Sequence, residues 1–438
     1  MNDTISPPRN WFQRLIRTLA LDPAPLKLSR DYRWLFIGQA VSAFGSMMTY
    51  AVFPWQMYQL TKSNALVGLI GVVEFVPMFA LAFIGGALAD VVDRRKWIIF
   101  IEVAKAVLIS LLVVNALLPQ PRVWVLFVVT FFYAAVAALQ RPAFESLQQS
   151  ILSPELMSAA AALGSLRYNF AAIAGPALGG VLAATMGAGI AYGIDVVTFL
   201  VSLATLVMMK ATPAPAKHDG VTMRSIAEGM RYAWARKDLL GTYLIDLNAM
   251  FFGMPMALFP AMAEQFGNSS VGWLYAMPAV GAVLTSLVSG WTTKVNRHGL
   301  AVAIAATVWG VAIIGFGLAN QLWLALLFLV IAGGADNISG IFRMTMWNQS
   351  IPNHLRGRLA GIELVSYTTG PMLGNAEAGI VASLFSVRTS VVSGGVLCVL
   401  GSIVVATLLP AFVRYDGRAG LARKEAEDLE REGTGQTP

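Results

Sequence analysis

The sequence has few charged residues: they make up 13% of its 438 positions, against 57% for hydrophobic residues. A water-soluble domain carries about a quarter charged residues, so a chain of soluble domains is excluded. The apolar residues come in runs of about twenty or more, the length that crosses a bilayer as a helix. The sequence therefore predicts an all-α membrane protein with many transmembrane helices.

Cysteine and histidine are also scarce, with one Cys (Cys398) and three His in the chain. A single cysteine forms no internal disulfide, and so few soft ligands do not predict a metal site. The sequence lacks a Gly-x-x-x-x-Gly-Lys-[Ser/Thr] loop, a Gly-x-Ser-x-Gly elbow and a His-Glu-x-x-His pair, which excludes the usual ATPases, hydrolases and metalloproteases. We therefore expect no metal, no cofactor and no enzymatic activity. A membrane receptor or a membrane enzyme, which moves no solute across the bilayer, is an alternative class of protein.

The apolar runs predict twelve spans, six on each side of a Pro-rich interruption, with the seventh span at 238–262. The expected order is a cytoplasmic amphipathic segment (1–33), a six-helix bundle (34–209), a cytoplasmic linker (210–237), a second six-helix bundle (238–412) and a cytoplasmic tail (413–438). Few bases fall in the predicted outer loops, namely Lys62, Arg122 and Arg388. This asymmetry predicts that both termini are cytoplasmic. The net charge of +7 follows from the same bias and indicates no nucleic-acid partner.

The two groups of spans resemble each other. At a constant shift Val67-Gly68 aligns with Val271-Gly272, and Gly86 aligns with Gly290; at a second shift Gly175-Pro176 aligns with Gly370-Pro371. Duplicated six-helix halves are the plan of transporters that rock around a central site.

The loop after the second span holds the most specific motif, which comprises Gly86, Asp90, Arg94, Arg95 and Lys96. In this pattern the chain resembles the major facilitator superfamily, although Val91 stands where a base is usual and Asp93 where a glycine is usual. The resemblance implies two pseudo-symmetric six-helix bundles. It also implies that Asp90 meets the start of span eleven, near Arg358 to Gly361, and closes the cytoplasmic gate. The bases alone would also serve to fix topology.

The fifth span carries a run of small residues that includes Gly175, Pro176, Gly179 and Gly180. Small residues allow helices to pack closely, and a proline removes a backbone hydrogen bond. The run partly matches an antiport motif of the superfamily's exporters. Ordinary helix packing is the alternative reading. The stretch Arg141 to Leu156 is similar to the branch that holds siderophore and macrolide-type drug exporters.

Ionisable residues inside spans are costly and are functional candidates by default. Six such groups are expected at a proton-coupling or substrate site: Glu74, Arg167, Asp246, Asp336, Arg343 and Glu363. A desolvated carboxyl takes up a proton readily, which suits proton antiport. Three other ionisable groups receive structural interpretations. Asp195 is assigned to helix packing, and Glu102 and Lys105 to a local pair three residues apart.

Aromatic and methionine side chains in cavity-capable spans are candidates for contact with a flat apolar ligand: Trp55, Tyr58, Phe75, Phe79, Tyr133, Tyr168, Phe251, Phe252, Met254, Met256, Tyr275, Trp347 and Tyr367. The expected partners are a small-molecule substrate, protons and the lipid bilayer, with the chain a monomer of the cell inner membrane. The resemblance implies efflux of a siderophore such as enterobactin. Drug or macrolide efflux and carriage of lysophospholipids are the alternatives.

Overall fold

The computed structural model describes residues 22–89, 93–210, 231, 232, 234, 236–351, 356–422, 424 and 426, and these are almost entirely helical. Eleven helices in this part of the chain are long and apolar enough to cross a membrane. The long helices are α1 (Arg30–Thr61), α2 (Asn64–Ala89), α3 (Arg94–Leu117), α4 (Val123–Ile151), α5 (Met157–Met186), α6 (Ala188–Met208), α7 (Lys237–Phe252), α8 (Val271–Leu287), α9 (His298–Leu318), α10 (Leu322–Ser350), α11 (Arg356–Leu384) and α12 (Val387–Leu408). Shorter helices are Ala24–Leu28, Phe259–Phe266 and Pro410–Val413.

Local signals in the sequence set the ends of α1. The Ser29 hydroxyl accepts a hydrogen bond from the Tyr32 N–H at 3.1 Å and caps the first turn. At the other end Lys62 takes a left-handed conformation with φ of 52°, and its N–H donates to the Tyr58 carbonyl at 2.7 Å. The chain can therefore reverse and enter α2 within two residues.

The seventh span is broken, whereas the hydropathy predicts a continuous run over 238–262. Helix α7 ends at Phe252, and a second helix starts at Phe259. Pro255, inside the break, cannot donate a backbone hydrogen bond, so the helix does not continue through it. Pro260 lies in the first turn of the second helix, where no such bond is needed. Side chains from other helices bond to the freed backbone: the Trp309 indole donates to the Gly253 carbonyl at 3.0 Å, and the Asn375 side-chain oxygen accepts from the Ala257 N–H at 3.0 Å. Such substitutes are required where a helix is interrupted inside a membrane.

The first six long helices pack mainly on one another, and so do the last six. Helix α1 packs against α5 and α6, and α2 and α3 pack against α4; in the later part, α8 and α9 pack against α10, and α7 packs against α11 and α12. Two seams join the groups, α2 against α11 and α5 against α8. We call α1–α6 the first half and α7–α12 the second half.

In each seam, glycines bring the backbones of the two helices into contact. A Cβ added to Gly68 of α2 would lie 3.1 Å from the Cα atoms of both Ala376 and Gly379 of α11. In the other seam, a Cβ added to Gly180 would lie 2.5 Å from the Cα of Gly272. Both contacts lie at the end of the molecule where α1 ends and α2 begins, which we call the closed end.

Candidate functional site

A cavity of about 200 Å³ lies between the two halves. Its wall comes from α1, α2, α3, α4, α8 and α11, together with the break after α7, and includes Thr49, Tyr50, Glu74, Tyr133, Met256, Tyr275 and Asn375. Among the described residues that line it, Glu74 is the single acid. The cavity is otherwise mostly apolar and aromatic, as ligand sites usually are.

Of the candidate residues, Glu74 and three aromatic or methionine side chains, Tyr133, Met256 and Tyr275, line this cavity. Tyr50, which was not among the predicted aromatic residues, also lines the cavity. Its ring meets the Tyr275 ring edge to face, with centroids 5.7 Å apart. Its hydroxyl lies 3.1 Å from the Met256 sulfur. These contacts join α1 of the first half to the second half.

An ion pair joins the two halves at the closed end. Lys62, directly after α1, pairs with Glu264 in the helix Phe259–Phe266. The Tyr58 hydroxyl donates to the other oxygen of Glu264 at 3.3 Å, and the Lys62 ammonium lies 5.2 Å from the Tyr58 ring centre. The positive-inside rule counts Lys62 only as a loop charge that bears on topology. The sequence therefore does not indicate this contact.

We expect Glu264→Gln to shift the protein toward a state that is open at this end. The pair is partly exposed, with 54% and 39% of the two side chains accessible, so its loss is worth at most about 1 kcal/mol, or about a fivefold change in population. Spin labels at exposed Leu117 and Phe385, in a Cys398→Ser background, would report the separation of the halves. Glu145→Gln is the control, because Glu145 pairs with Arg141 inside α4. An unchanged distance distribution in Glu264→Gln would contradict the assignment.

Asp246, Asp336 and Arg343 form one cluster inside the second half. Arg343 pairs with Asp246, and its other terminal nitrogen lies 3.8 Å from an Asp336 oxygen. The Arg343 and Asp246 side chains are 8% and 3% exposed, whereas Asp336 is 44% exposed. Asp336 and Arg343, seven positions and two turns apart on α10, are therefore close enough for an ion pair. None of the three residues is among those that line the central cavity in the described part of the chain.

Arg167 lies in α5 of the first half. Its guanidinium stacks over the Phe144 ring at 5.5 Å. Its Nε atom is buried and has no hydrogen-bond partner among the described residues. The structure does not bring Arg167 to the Glu74 cavity. Asp90 and the side chains of Gly86 and Glu363 lie outside the described residues, so the gate contact of Asp90 stays a prediction.

The bases after Asp90 hold helix ends of the first half. Arg94 donates to the Ser146 carbonyl of α4 at 3.1 Å. Arg95 donates to the Leu206 and Val207 carbonyls of α6 at 2.8 and 2.7 Å. Asp93, at the unusual position of the motif, accepts from the Lys96 N–H at 3.1 Å and caps α3. The motif therefore fastens α3 to the ends of α4 and α6.

The glycines of the fifth span serve two different contacts. Gly175 and Gly179 face α1, where an added Cβ would meet Met47 and Met48, whereas Gly180 faces Gly272 of α8. Pro176 lies inside the helix, and its carbonyl faces the same Gly272. The glycines of this motif therefore pack closely against helices within the first half and across the seam.

A buried polar cluster in the first half was not expected from the sequence. The fully buried Glu102 accepts hydrogen bonds from Gln140 at 2.8 Å, Gln39 at 3.2 Å and Ser42 at 3.4 Å. Lys105 donates to the same Gln140. The predicted local compensation acts through a third residue, because no ion pair within 4 Å joins Glu102 to Lys105 among the described side chains. The amide of Gln140 links them, and only the tertiary fold brings α4 to this position.

The fold and the central cavity define a polytopic helical membrane transporter. The sequence profile described as "Transmembrane secretion effector" matches residues 22–427, so the chain belongs to this family of the major facilitator superfamily. It is 26% identical over 387 residues to the protein named "Enterobactin exporter EntS" of Shigella boydii serotype 4 (strain Sb227), covering 88% of this chain and 93% of that protein. Its counterpart in Escherichia coli O1:K1 / APEC shows the same identity and coverage.

Solved structures show the same fold at low sequence identity. A point mutant of the nucleoside transporter NupG aligns with a TM-score of 0.69 and 11% identity over 86% of this chain and 98% of that one. A bacterial homologue of the iron transporter ferroportin, solved in an inward-facing state, aligns with a TM-score of 0.66 and 13% identity over 88% and 98%. The chain therefore has the major facilitator fold and many membrane-crossing helices, and its relatives are transporters rather than enzymes.

Proposed function

We propose that the protein exports a small organic molecule across the cell inner membrane by alternating access, with protons as the counter-ion. The observation that carries the proposal is the cavity between the halves, with one carboxylate in an aromatic wall and backbone contacts sealing one end. The relatives named as enterobactin exporters support the export direction. The proposal includes twelve transmembrane helices in two six-helix bundles, both termini in the cytoplasm, and a monomer.

In this orientation the closed end faces outward, because Lys62 and Arg388 lie there and the base-rich segments lie at the opposite end. The structure then represents a state in which the cavity is cut off from the outside. A transporter in this state would load its cargo from the cytoplasm or the inner leaflet. The contacts Gly68–Gly379, Gly180–Gly272 and Lys62–Glu264 must separate before the cargo can leave.

The cavity chemistry favours a ligand that is aromatic and carries hydroxyl groups. Aromatic rings stack against the walls formed by Tyr50 and Tyr275, and the Glu74 carboxylate accepts hydrogen bonds from hydroxyl donors. A siderophore of the enterobactin type has this chemistry and is our first choice of substrate. The cavity of about 200 Å³ is smaller than the roughly 300 to 1,000 Å³ of typical ligand pockets, so the halves must part to admit such a ligand.

The proposal gives different roles to the candidate charges of the two halves. Glu74 contacts the substrate, because it lies in the cavity. Asp336 is the accessible carboxyl of the second half, and Arg343 holds Asp246 beside it. Glu363 stays a candidate for the same cluster, Asp90 for the cytoplasmic gate, and Arg167 for a counter-ion.

Transport into proteoliposomes tests this proposal. With a pH gradient imposed, we expect enterobactin to move against its concentration gradient. Glu74→Gln should lower that flux at least about tenfold, because a charge-assisted hydrogen bond is worth about 1.5 to 3 kcal/mol. Glu377→Gln is the matched control, since Glu377 is a partly buried glutamate of α11 that does not line the cavity among the described residues.

A macrolide and a lysophospholipid should be assayed in parallel. Movement of either one instead of enterobactin would replace the proposed substrate. If none of the three probes moves, with or without the gradient, the export proposal is wrong.

A further inference from the structure

Three charged residues are buried in the described part of the first half, namely Glu102, Lys105 and Asp195. No direct ion pair joins any two of them there. Lys105 can only donate hydrogen bonds, so the Gln140 oxygen must face it and the Gln140 amide nitrogen must face Glu102. The Glu102 carboxylate also accepts from Gln39 and Ser42. Three hydrogen-bond donors therefore surround this carboxylate. Lys105 and Glu102 are therefore a charge pair joined by an amide, and together they are neutral.

Once Lys105 is paired with Glu102, no cation of the described residues is left to pair with Asp195. It lies in the middle of α6 and is fully buried. Its described hydrogen-bond partners are hydroxyl groups: the Thr49 oxygen lies 2.5 Å from Oδ2, and the Thr198 oxygen lies 3.2 Å from Oδ1. A buried carboxylate without a cation of its own is costly inside a membrane. A carboxylic acid at this place would carry no such penalty.

The hydroxyl of Thr198 shows where the acid proton fits. This hydroxyl has one hydrogen, and the backbone carbonyl of Asp195, at 2.7 Å, is nearer to it than Oδ1 is. When the hydrogen points to the carbonyl, the Thr198 oxygen is free to accept a hydrogen bond from a proton on Oδ1. Oδ2 meanwhile accepts from the Thr49 hydroxyl. The site can therefore satisfy both oxygens of a protonated Asp195.

The surroundings of Asp195 are tight and carry few charges. The charged groups within electrostatic reach are Lys105 and Glu102 of α3. Tyr133 of α4 and Tyr192 of α6 also interact with it. Helix α1 presents Thr49 and Gly45, and a Cβ on Gly45 would lie 2.5 Å from Oδ1. Helix α5, which also packs on α6, offers it no charged group among the described residues.

One residue connects this carboxyl to the central cavity. Thr49, whose hydroxyl bonds Asp195, also lines the cavity between the halves. A movement of α1 relative to α6 changes this hydrogen bond and the Gly45 contact together. Such a movement can admit water to the carboxyl, which is fully buried in the present state.

We propose that Asp195 is the proton-binding carboxyl of the transport cycle, and that Thr49 couples it to the cavity. This inference rests on the proposed function, because it assigns the proton site of the antiport. In the present state the proton is held on Oδ1. When cargo binds from the cytoplasmic side and α1 moves relative to α6, the O–H bond breaks, the proton passes to water on that side, and Asp195 becomes a carboxylate. After the cargo has left, a proton taken up from the outer side restores the acid.

The proposal fixes the sign of a pH effect that can be measured without any substrate. If the closed-end state holds one proton more than the state open at that end, low pH favours the present state. Raising the pH should then increase the population with separated halves by up to about tenfold per pH unit. Spin labels at Leu117 and Phe385, in the Cys398→Ser background, would follow this population in nanodiscs.

Asp195→Asn keeps the size of the side chain and cannot lose the proton. We expect its populations to change less than about twofold over two pH units, whereas the wild type responds strongly. Thr49→Val keeps the carboxyl and removes the link, so its pH response should weaken severalfold. This second variant decides the question if Asp195→Asn fails to give a monodisperse protein. Glu377→Gln is the control and should respond like the wild type.

A full pH response in both Asp195→Asn and Thr49→Val would overturn the inference. So would loss of the response in Asp336→Asn with an unchanged response in Asp195→Asn. A wild type whose populations ignore pH would overturn proton binding as such. If the pH response is present but enterobactin is not transported, the substrate assignment fails while Asp195 stands, so the two failures can be told apart.

Discussion

Gly180→Val should abolish transport and hold the two halves apart at the closed end. The glycine meets the backbone of Gly272 in α8, and an added Cβ would lie 2.5 Å from the Gly272 Cα and 3.1 Å from a Val271 methyl carbon. A backbone atom cannot swing away as a side chain does, so relief requires the helices to separate. We expect flux in proteoliposomes to fall at least about tenfold, which corresponds to a cost within the roughly 1 to 3 kcal/mol of overpacking.

Gly164→Val is the matched control for this prediction. Gly164 lies in the same helix, α5, and a Cβ there would meet no heavy atom within 4 Å. Both variants place a β-branched residue in a helix, so their intrinsic helix costs are equal. Flux should therefore stay near the wild-type level in Gly164→Val. Normal flux in Gly180→Val would show that the α5–α8 seam does not need to close.

Arg343→Ala should destabilise the second half strongly. It removes the cation that pairs with Asp246, whose side chain is 3% exposed. Breaking a buried ion pair from one side costs about 3 to 5 kcal/mol, because a charge is left without compensation. A clearly lowered midpoint of thermal unfolding, measured for the purified protein in detergent, is the expected result.

Two further variants separate this effect from the loss of any arginine. Arg141→Ala breaks the Arg141–Glu145 pair, whose side chains are 61% and 59% exposed, so the midpoint should hardly move. The double variant Asp246→Asn with Arg343→Met removes both charges and should recover much of the lost stability. If Arg343→Ala unfolds at the wild-type temperature, the pair does not stabilise the helix bundle.

The membrane class and the helix positions follow from the sequence because both depend on local composition. A run of about twenty apolar residues is enough to place a helix in a bilayer, whatever its neighbours are. The interruption at Gly253 to Leu258 shows the limit of this reasoning. Hydropathy stays high across it, and the break depends on Pro255 together with distant partners, Trp309 and Asn375.

The candidate site could be predicted only in part. Glu74 is a candidate from the sequence because an acid inside an apolar span is conspicuous, and the structure places it in the cavity wall. Asp195 is equally conspicuous, yet the resemblance places the sixth span at the periphery of the fold, which favours a packing interpretation. Its hydroxyl partner Thr49 is 146 positions away. Hydroxyl groups are common in spans and give no signal by themselves.

The sequence alone determined that this chain is a helical membrane protein; its motifs indicated the superfamily, and the buried charges made Glu74, Asp336 and Arg343 candidate site residues. The tertiary structure decided which charges compensate one another. Gln140 joins Lys105 to Glu102 by hydrogen bonds, Arg343 pairs with Asp246, and Lys62 pairs with Glu264. The physical reason is that hydropathy is summed along the chain, whereas charge compensation acts through space over a few ångströms and joins helices that are remote in sequence.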